Sequence, residues 1–161
     1  MKNLAKKIVD RERAIEIGSE FRLCHLNLVF TNGCFDLIHP GHIDLLIRAR
    51  TLGDALMVGL NTDSSVKRLK GPTRPILDEN SRALMLAALE VVDYVVLFDE
   101  DTPIELIKTV KPGMLVKGED YKIEDVVGRE VVEEYGGRVE IIPFNVDVST
   151  SMILEKIRED K

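Results

Sequence analysis

"FTNGCFDLIHPGH", residues 30–42, overlaps an apolar run of strand length, LNLVFT over 26–31. It packs two glycines, a cysteine, an aspartate and two histidines into one strand end. A simple turn needs only a glycine and a polar residue. Gly33 breaks the strand and lets backbone N–H groups point outward. Pro40 falls where a helix begins, a position that tolerates its missing N–H. The amides of Gly41, His42 and Ile43 then face the space ahead of that helix, with the positive end of its dipole behind them. An anion is the natural occupant. His39 and His42, three apart across the helix start, project toward it as hydrogen-bond donors for a phosphorus centre.

Short apolar runs alternate with longer amphipathic ones through the rest of the chain. Strands are expected at 26–31, 55–61, 93–98, 114–118 and 138–144. Helices are expected at 42–53 with Gly53 as C-cap, at 63–70 capped by Asp63 or Ser64, and at 78–92, 102–112, 124–135 and 149–160. The first 25 residues read as a helical extension before a core over 26–161, the whole forming one domain. This succession predicts an α/β fold: a Rossmann-like, doubly wound parallel sheet of about five strands with helices on both faces. Right-handed crossovers bring the strand C-termini to one edge, where open sheets bind ligands. Function is therefore expected at 31–42, 61–63, 117–121 and 145–151.

Bulk properties narrow the classes of partner. The 161 residues carry a net charge of −6, against the basic footprint that nucleic acid requires. MKNLAKKIVD lacks the apolar core of a secretory signal, and no apolar run reaches membrane-spanning length. Cys24 and Cys34 form neither a metal-ligand spacing nor a disulfide framework. No nucleic acid, no membrane and a reducing cytoplasmic setting are the expectations. Neither a dinucleotide G-x-G-x-x-G nor a P-loop is present, and a zinc site from Cys34, His39 and His42 lacks an evident fourth ligand.

The stretch GCFDLIHPGH resembles the signature of the HxGH nucleotidyltransferase superfamily, which includes the cytidylyltransferases. The resemblance runs over roughly residues 8–158. Through LGDALMVGLNTDSSVKRLKGPTRPI, ALEVVDYVVLFDEDTPIELI, KPGMLVKGEDY and STSMI it narrows to the adenylyltransferases of heptose 1-phosphate. The family usually has Gly-Gly-Asp where this chain has Gly118-Glu119-Asp120. It tends to have glycine or histidine before the hydroxyl run, where Asp147 and Val148 stand here.

The resemblance implies transfer of AMP from ATP to D-glycero-β-D-manno-heptose 1-phosphate, with Mg²⁺ accompanying ATP and a separate heptose kinase supplying the sugar phosphate. The same chemistry on glycerol 3-phosphate with CTP, or on FMN, and a non-catalytic nucleotide-binding domain are the alternatives. His39, His42 and Lys70 would be catalytic. Asn32, Gly33, Cys34, Phe35, Gly41, Lys117, Gly118, Asp120, Ser149, Thr150 and Ser151 would line the nucleotide, and Arg74 and Arg82 would contact the substrate phosphate.

Several residues carry a plainer reading beside this one. Lys67, Arg68, Lys70 and Arg74 surround a Gly-Pro hinge, as a closing lid or a solvated loop. Lys117 and Asp120 line the adenosine or pair at the surface. Ser149 caps the last helix or joins its neighbours in holding phosphate. Asp36 holds Mg²⁺ or fixes the turn, and Arg82 reaches phosphate or sits on a helix surface. Asn61 and Asp63 are caps or sugar contacts, and Cys34 packs rather than attacks. The N-terminal helix either covers the sheet or serves a homodimer interface.

Overall fold

The computed structural model describes residues 4–143 and 148–159. Its centre is a six-stranded, all-parallel sheet in the order β1-β4-β3-β2-β5-β6. The strands are β1 (Ile8–Val9), β2 (Leu28–Gly33), β3 (Ala55–Asn61), β4 (Tyr94–Phe98), β5 (Met114–Gly118) and β6 (Arg138–Ile142). The helices are α1 (Arg11–Leu23), α2 (Pro40–Arg50), α3 (Asp63–Lys70), α4 (Glu79–Ala88), α5 (Ile104–Val110), α6 (Arg129–Glu134) and α7 (Thr150–Glu159). No helix among the described residues is long and apolar enough to cross a membrane.

The strands are apolar nearly throughout because both faces are covered. Leu28, Phe30, Ala55, Met57 and Leu115 pack on one side with residues of α1, α5 and α6. Val29, Leu56, Val58, Leu60 and Val116 pack on the other with residues of α2 and α4. The alternation along each strand decides which helices it meets.

The sheet has one strand more than expected. Residues 8–9 pair with β4 as an edge, too short to give a sequence signal of their own. Lys7 fastens that edge by donating its ammonium to the carbonyls of Leu89 and Val92. Helix α1 covers the sheet, burying Ala14, Ile17 and Gly18.

Several element ends also move. Helix α2 starts at Pro40 and closes at Thr51, not Gly53. Gly53 instead lies where a Cβ would come 2.5 Å from the Asn27 carbonyl oxygen, so it allows a close backbone approach. Thr62 caps α3 in place of Asp63 or Ser64, and α4 stops at Ala88. The expected helix over 124–135 is a 3₁₀ turn (Ile123–Asp125) followed by the short α6. Phe144, the expected end of the last strand, and residues 145–147 lie outside the described residues.

Candidate active site

Strands β3 and β5 flank β2, so chain order reverses at β2 and opens a crevice at its C-terminal end. Strands β2 and β5 are paired only at Val29–Met114 and Phe30–Leu115. Beyond those pairs, residues 31–33 and 116–118 diverge, while β5 stays paired with β6 through Gly118. The stretch 30–42 leaves β2 at this crevice.

His39 is the N-cap of α2, with extended backbone and no side-chain cap bond, and Pro40 follows inside the helix. The Ile43 amide donates to the His39 carbonyl at 3.2 Å, so of the three amides expected to face an anion, it is already used. Those of Gly41 and His42 stand in the first turn, where no intrahelical acceptor exists. A Cβ at Gly41 would lie 3.1 Å from the His39 ring and 3.2 Å from the Val148 carbonyl oxygen, so its lack of a side chain lets that ring settle.

The His39 and His42 rings stack at 3.8 Å between centroids, tilted by 26°. Phe35 packs on His42 at 5.0 Å. Both Nδ1 atoms are buried without a hydrogen-bond partner among the described residues. Burial, then the neighbouring His39 and Lys70, pushes the His42 pKa down to about 4, and burial lowers that of His39. At neutral pH His42 is an uncharged imidazole with one N–H to donate, and burial favours the same form of His39.

The cations divide sharply. Arg82 is fully buried: it bonds the Asp63 carboxylate at 2.7 Å, the Cys34 carbonyl at 2.6 Å and the Leu77 carbonyl at 3.0 Å. It therefore ties three segments together and does not extend toward a phosphate. One Asp63 carboxylate oxygen holds Arg82, and buried Asn61 donates to the Ser65 hydroxyl, so both residues brace the end of β3 and the start of α3. Arg68 bonds Asp101 and the Asp99 carbonyl. Lys67 and Lys70 are exposed. Lys70 has no carboxylate within 4.0 Å among the described residues, and it lies within electrostatic reach of His42 and Cys34.

Asp36 does not fit as a metal ligand. Its side chain is fully buried and accepts from Arg74 Nε at 2.6 Å, the Ile76 amide at 2.9 Å and the Leu77 amide at 3.2 Å. Burial alone would raise its pKa; the Ile76 amide and Arg74 hold it below the ordinary carboxylate value. Among the described residues no group of three or more His, Cys, Asp or Glu is placed to hold a metal. Asp36 thus fixes a turn, though a longer one than the sequence suggests, because its partners lie in the basic loop. Arg74 keeps one buried nitrogen, Nη2, without a partner.

On the far rim, Lys117 is 7% exposed, so a surface pair with Asp120 does not form. Its ammonium donates to the Asn32 carbonyl at 3.1 Å, and the Tyr121 ring lies 5.1 Å from it. Tyr121 carried no pattern of its own in the sequence. Cys34 Sγ points to Asn61 at 4.0 Å and burial raises its pKa, which suits a packed thiol and not a nucleophile. The hydroxyl run at α7 is partly spent on structure. Thr150 donates to the Asp36 carbonyl at 2.7 Å, and Ser149 accepts from the Met152 amide at 3.3 Å. Ser151 is exposed, and Asp147 lies outside the described residues.

Comparison with known proteins adds independent findings. A family profile described as cytidylyltransferase-like matches residues 30–157. The bifunctional protein HldE of Trichlorobacter lovleyi is 56% identical over 153 residues, covering 95% of this chain and 31% of that protein. HldE of Citrifermentans bemidjiense is 65% identical over 130 residues, covering 81% of this chain and 27% of that protein. The chain thus spans less than a third of the length of these relatives. Among solved structures, the lipopolysaccharide core biosynthesis protein from Thermoplasma volcanium superposes with a TM-score of 0.61 at 33% identity, over 74% of this chain and 97% of that one. Pantoate-beta-alanine ligase from Francisella tularensis, complexed with beta-gamma ATP and beta-alanine, shares the fold alone, with a TM-score of 0.61 at 16% identity over 94% of this chain and 77% of that one.

Proposed function

We infer the function from one premise: the chain belongs to the cytidylyltransferase-like family and is a nucleotidyltransferase. We propose that it transfers AMP from ATP to D-glycero-β-D-manno-heptose 1-phosphate, giving ADP-heptose and pyrophosphate in the cytoplasm as a precursor of lipopolysaccharide core. Residues 1–161 would act as one catalytic domain, and a heptose kinase would supply the acceptor.

The observation that carries this reading is the stacked, uncharged His39–His42 pair at the start of α2, beside the crevice between β2 and β5. The acceptor's phosphate oxygen attacks the α-phosphorus of ATP in line, and the bond from that phosphorus to the bridging oxygen breaks. Imidazole N–H groups and the first amides of α2 stabilise the charge that grows on the α-phosphoryl oxygens. Lys70, exposed at the end of α3 and within electrostatic reach of His42, would meet the phosphates from that side. No general base is required, because the attacking phosphate is already an anion. The donor set does not build a metal cage, so Mg²⁺ would arrive as the counter-ion of the triphosphate.

A pyrophosphate-release assay crossing ATP and CTP with heptose 1-phosphate, glycerol 3-phosphate and FMN tests the assignment. Turnover is expected with ATP and heptose 1-phosphate. Turnover confined to CTP and glycerol 3-phosphate, or to FMN, would replace it with the corresponding transferase. Nucleotide binding without any turnover would leave a binding domain.

A further inference from the structure

Asp36 sits between two residues whose backbone turns against their side chains. Phe35 has a φ of 44° and Leu37 a φ of 62°, the left-handed region that favours glycine. An aromatic and a branched side chain are held there, between Gly33 and Gly41. Strain of this kind lasts only where the surroundings impose it, and it gathers at functional sites. Asp36 supplies what imposes it. Its buried carboxylate accepts from Arg74 Nε and from the amides of Ile76 and Leu77, and its carbonyl accepts the Thr150 hydroxyl. Side chain and main chain of one residue are thus tied to two distant segments, and none of these bonds belongs to the sheet or to a helix ladder.

The strained turn shapes the histidine pair. Phe35 is buried, and its ring lies across the end of β2, where a Cβ at Gly33 would stand 3.3 Å from it. From there it packs on the His42 ring and keeps water from it. Leu37 redirects the chain through Ile38 into His39, the N-cap of α2. We propose that Asp36 is a positioning residue: by holding Phe35 and Leu37 in their left-handed turn, it seats His39 and His42 for the α-phosphate, with the loop over 71–77 as its strut. This rests on the nucleotidyl-transfer reading and adds to it the residue that prepares the pair before any nucleotide binds.

The alternative is that Asp36 only secures the fold. Asp36→Asn, Leu37→Gly and the double variant separate the two roles. Asp36→Asn should melt about 5–10 °C lower and, while still folded, lose about 10- to 100-fold in kcat. Leu37→Gly removes the side chain that resists the left-handed turn. Its effect on melting temperature should be about 2–4 °C more favourable in wild type, where Asp36 enforces the turn, than in Asp36→Asn, where the turn has relaxed. Equal changes in the two backgrounds, or near wild-type kcat in folded Asp36→Asn, overturn the proposal.

A readout in the free protein stands apart from the reaction. The chain has three histidines, so NMR titration of their ring C–H signals resolves each one. Burial, then His39 and Lys70, holds the His42 pKa at about 4, so its wild-type signal should stay at the neutral position down to about pH 5. In Asp36→Asn water reaches the ring, and the pKa should rise toward the ordinary 6.5. Arg74→Met, which removes the strut's charge and leaves the two amides, should move it the same way by less, and replaces Asp36→Asn in the test if that variant does not fold. A His42 signal unmoved in the folded variant overturns the proposal. A wild type that releases no pyrophosphate with any of the crossed substrates removes the transfer reading, while a shifted His42 signal still shows Asp36 seating the pair.

Discussion

The turn at 31–42 and the basic segment at 67–77, which is the last turn of α3 and the loop after it, are both rich in groups that suit phosphate, yet the fold uses them differently. In the turn, the imidazoles of His39 and His42 stack against each other and bond to nothing else described. In the basic segment, Arg68 of α3 is held by Asp101 and Arg74 by Asp36, while Arg82 of α4 is held by Asp63. The lysines nearby, Lys70 and Lys117, have no such partners among the described residues. Arginine's planar fork serves as internal bracing here, and lysine's compact charge is left to the ligand side. Counting basic residues in the loop therefore overstates the charge offered to a substrate.

The sharpest way to break this contrast is His42→Ala, which removes a donor from the turn and no brace. We expect kcat to fall about 100- to 1000-fold in the pyrophosphate assay. Its acid limb should change as well. The folded His42 pKa of about 4 lies below the ordinary 6.5, so stability is complete above pH 6.5 and is lost as pH falls through 4. Denaturant melts of the variant should show a flatter loss over that interval. A variant with near wild-type kcat would remove the histidines from the reaction.

Arg82→Met attacks the bracing instead. It strands the Cys34 and Leu77 carbonyls and a carboxylate that is only partly exposed. Urea unfolding should show a loss of about 2–3 kcal/mol, toward the low end for a broken buried pair because Asp63 still reaches solvent. Stability equal to wild type would mean that Arg82 braces nothing.

The finest comparison is between neighbours. Lys70→Met should raise the KM for ATP about tenfold with an unchanged melting temperature, as expected for a charge that serves the ligand. Arg68→Ala, two positions earlier, should leave KM, kcat and melting temperature at wild-type values, since its ion pairs are exposed. Equal effects at the two positions would erase the distinction between them.

Much of the fold was legible because its cause is local. Near-continuous apolar runs such as ALMVGLN need two covered faces, and alternation with amphipathic helices leaves a parallel sheet as the arrangement. The histidine pair was legible for the same reason, since strand, turn and Pro-Gly helix start are contiguous. What escaped depends on distant partners. Nothing near Arg82 in sequence signals that it will be buried against Cys34 and Asp63. Lys117 looked equally suited to the surface until the ladder beside it proved to open. Strand β1 is two residues long and exists only because β4 offers it an edge.

Asp36 has a consequence for how the molecule comes into being. Its carboxylate gathers Arg74, Ile76 and Leu77, lying 38, 40 and 41 residues further on, and its carbonyl takes Thr150, 114 residues away. Closures that long lose chain entropy before any contact rewards them, whereas a βα unit forms from neighbours. The edge that would hold the nucleotide is thus a late assembly, completed only when the whole chain has come together. The amides of Ile76 and Leu77, sheltered behind one carboxylate, become natural reporters of that event in hydrogen exchange.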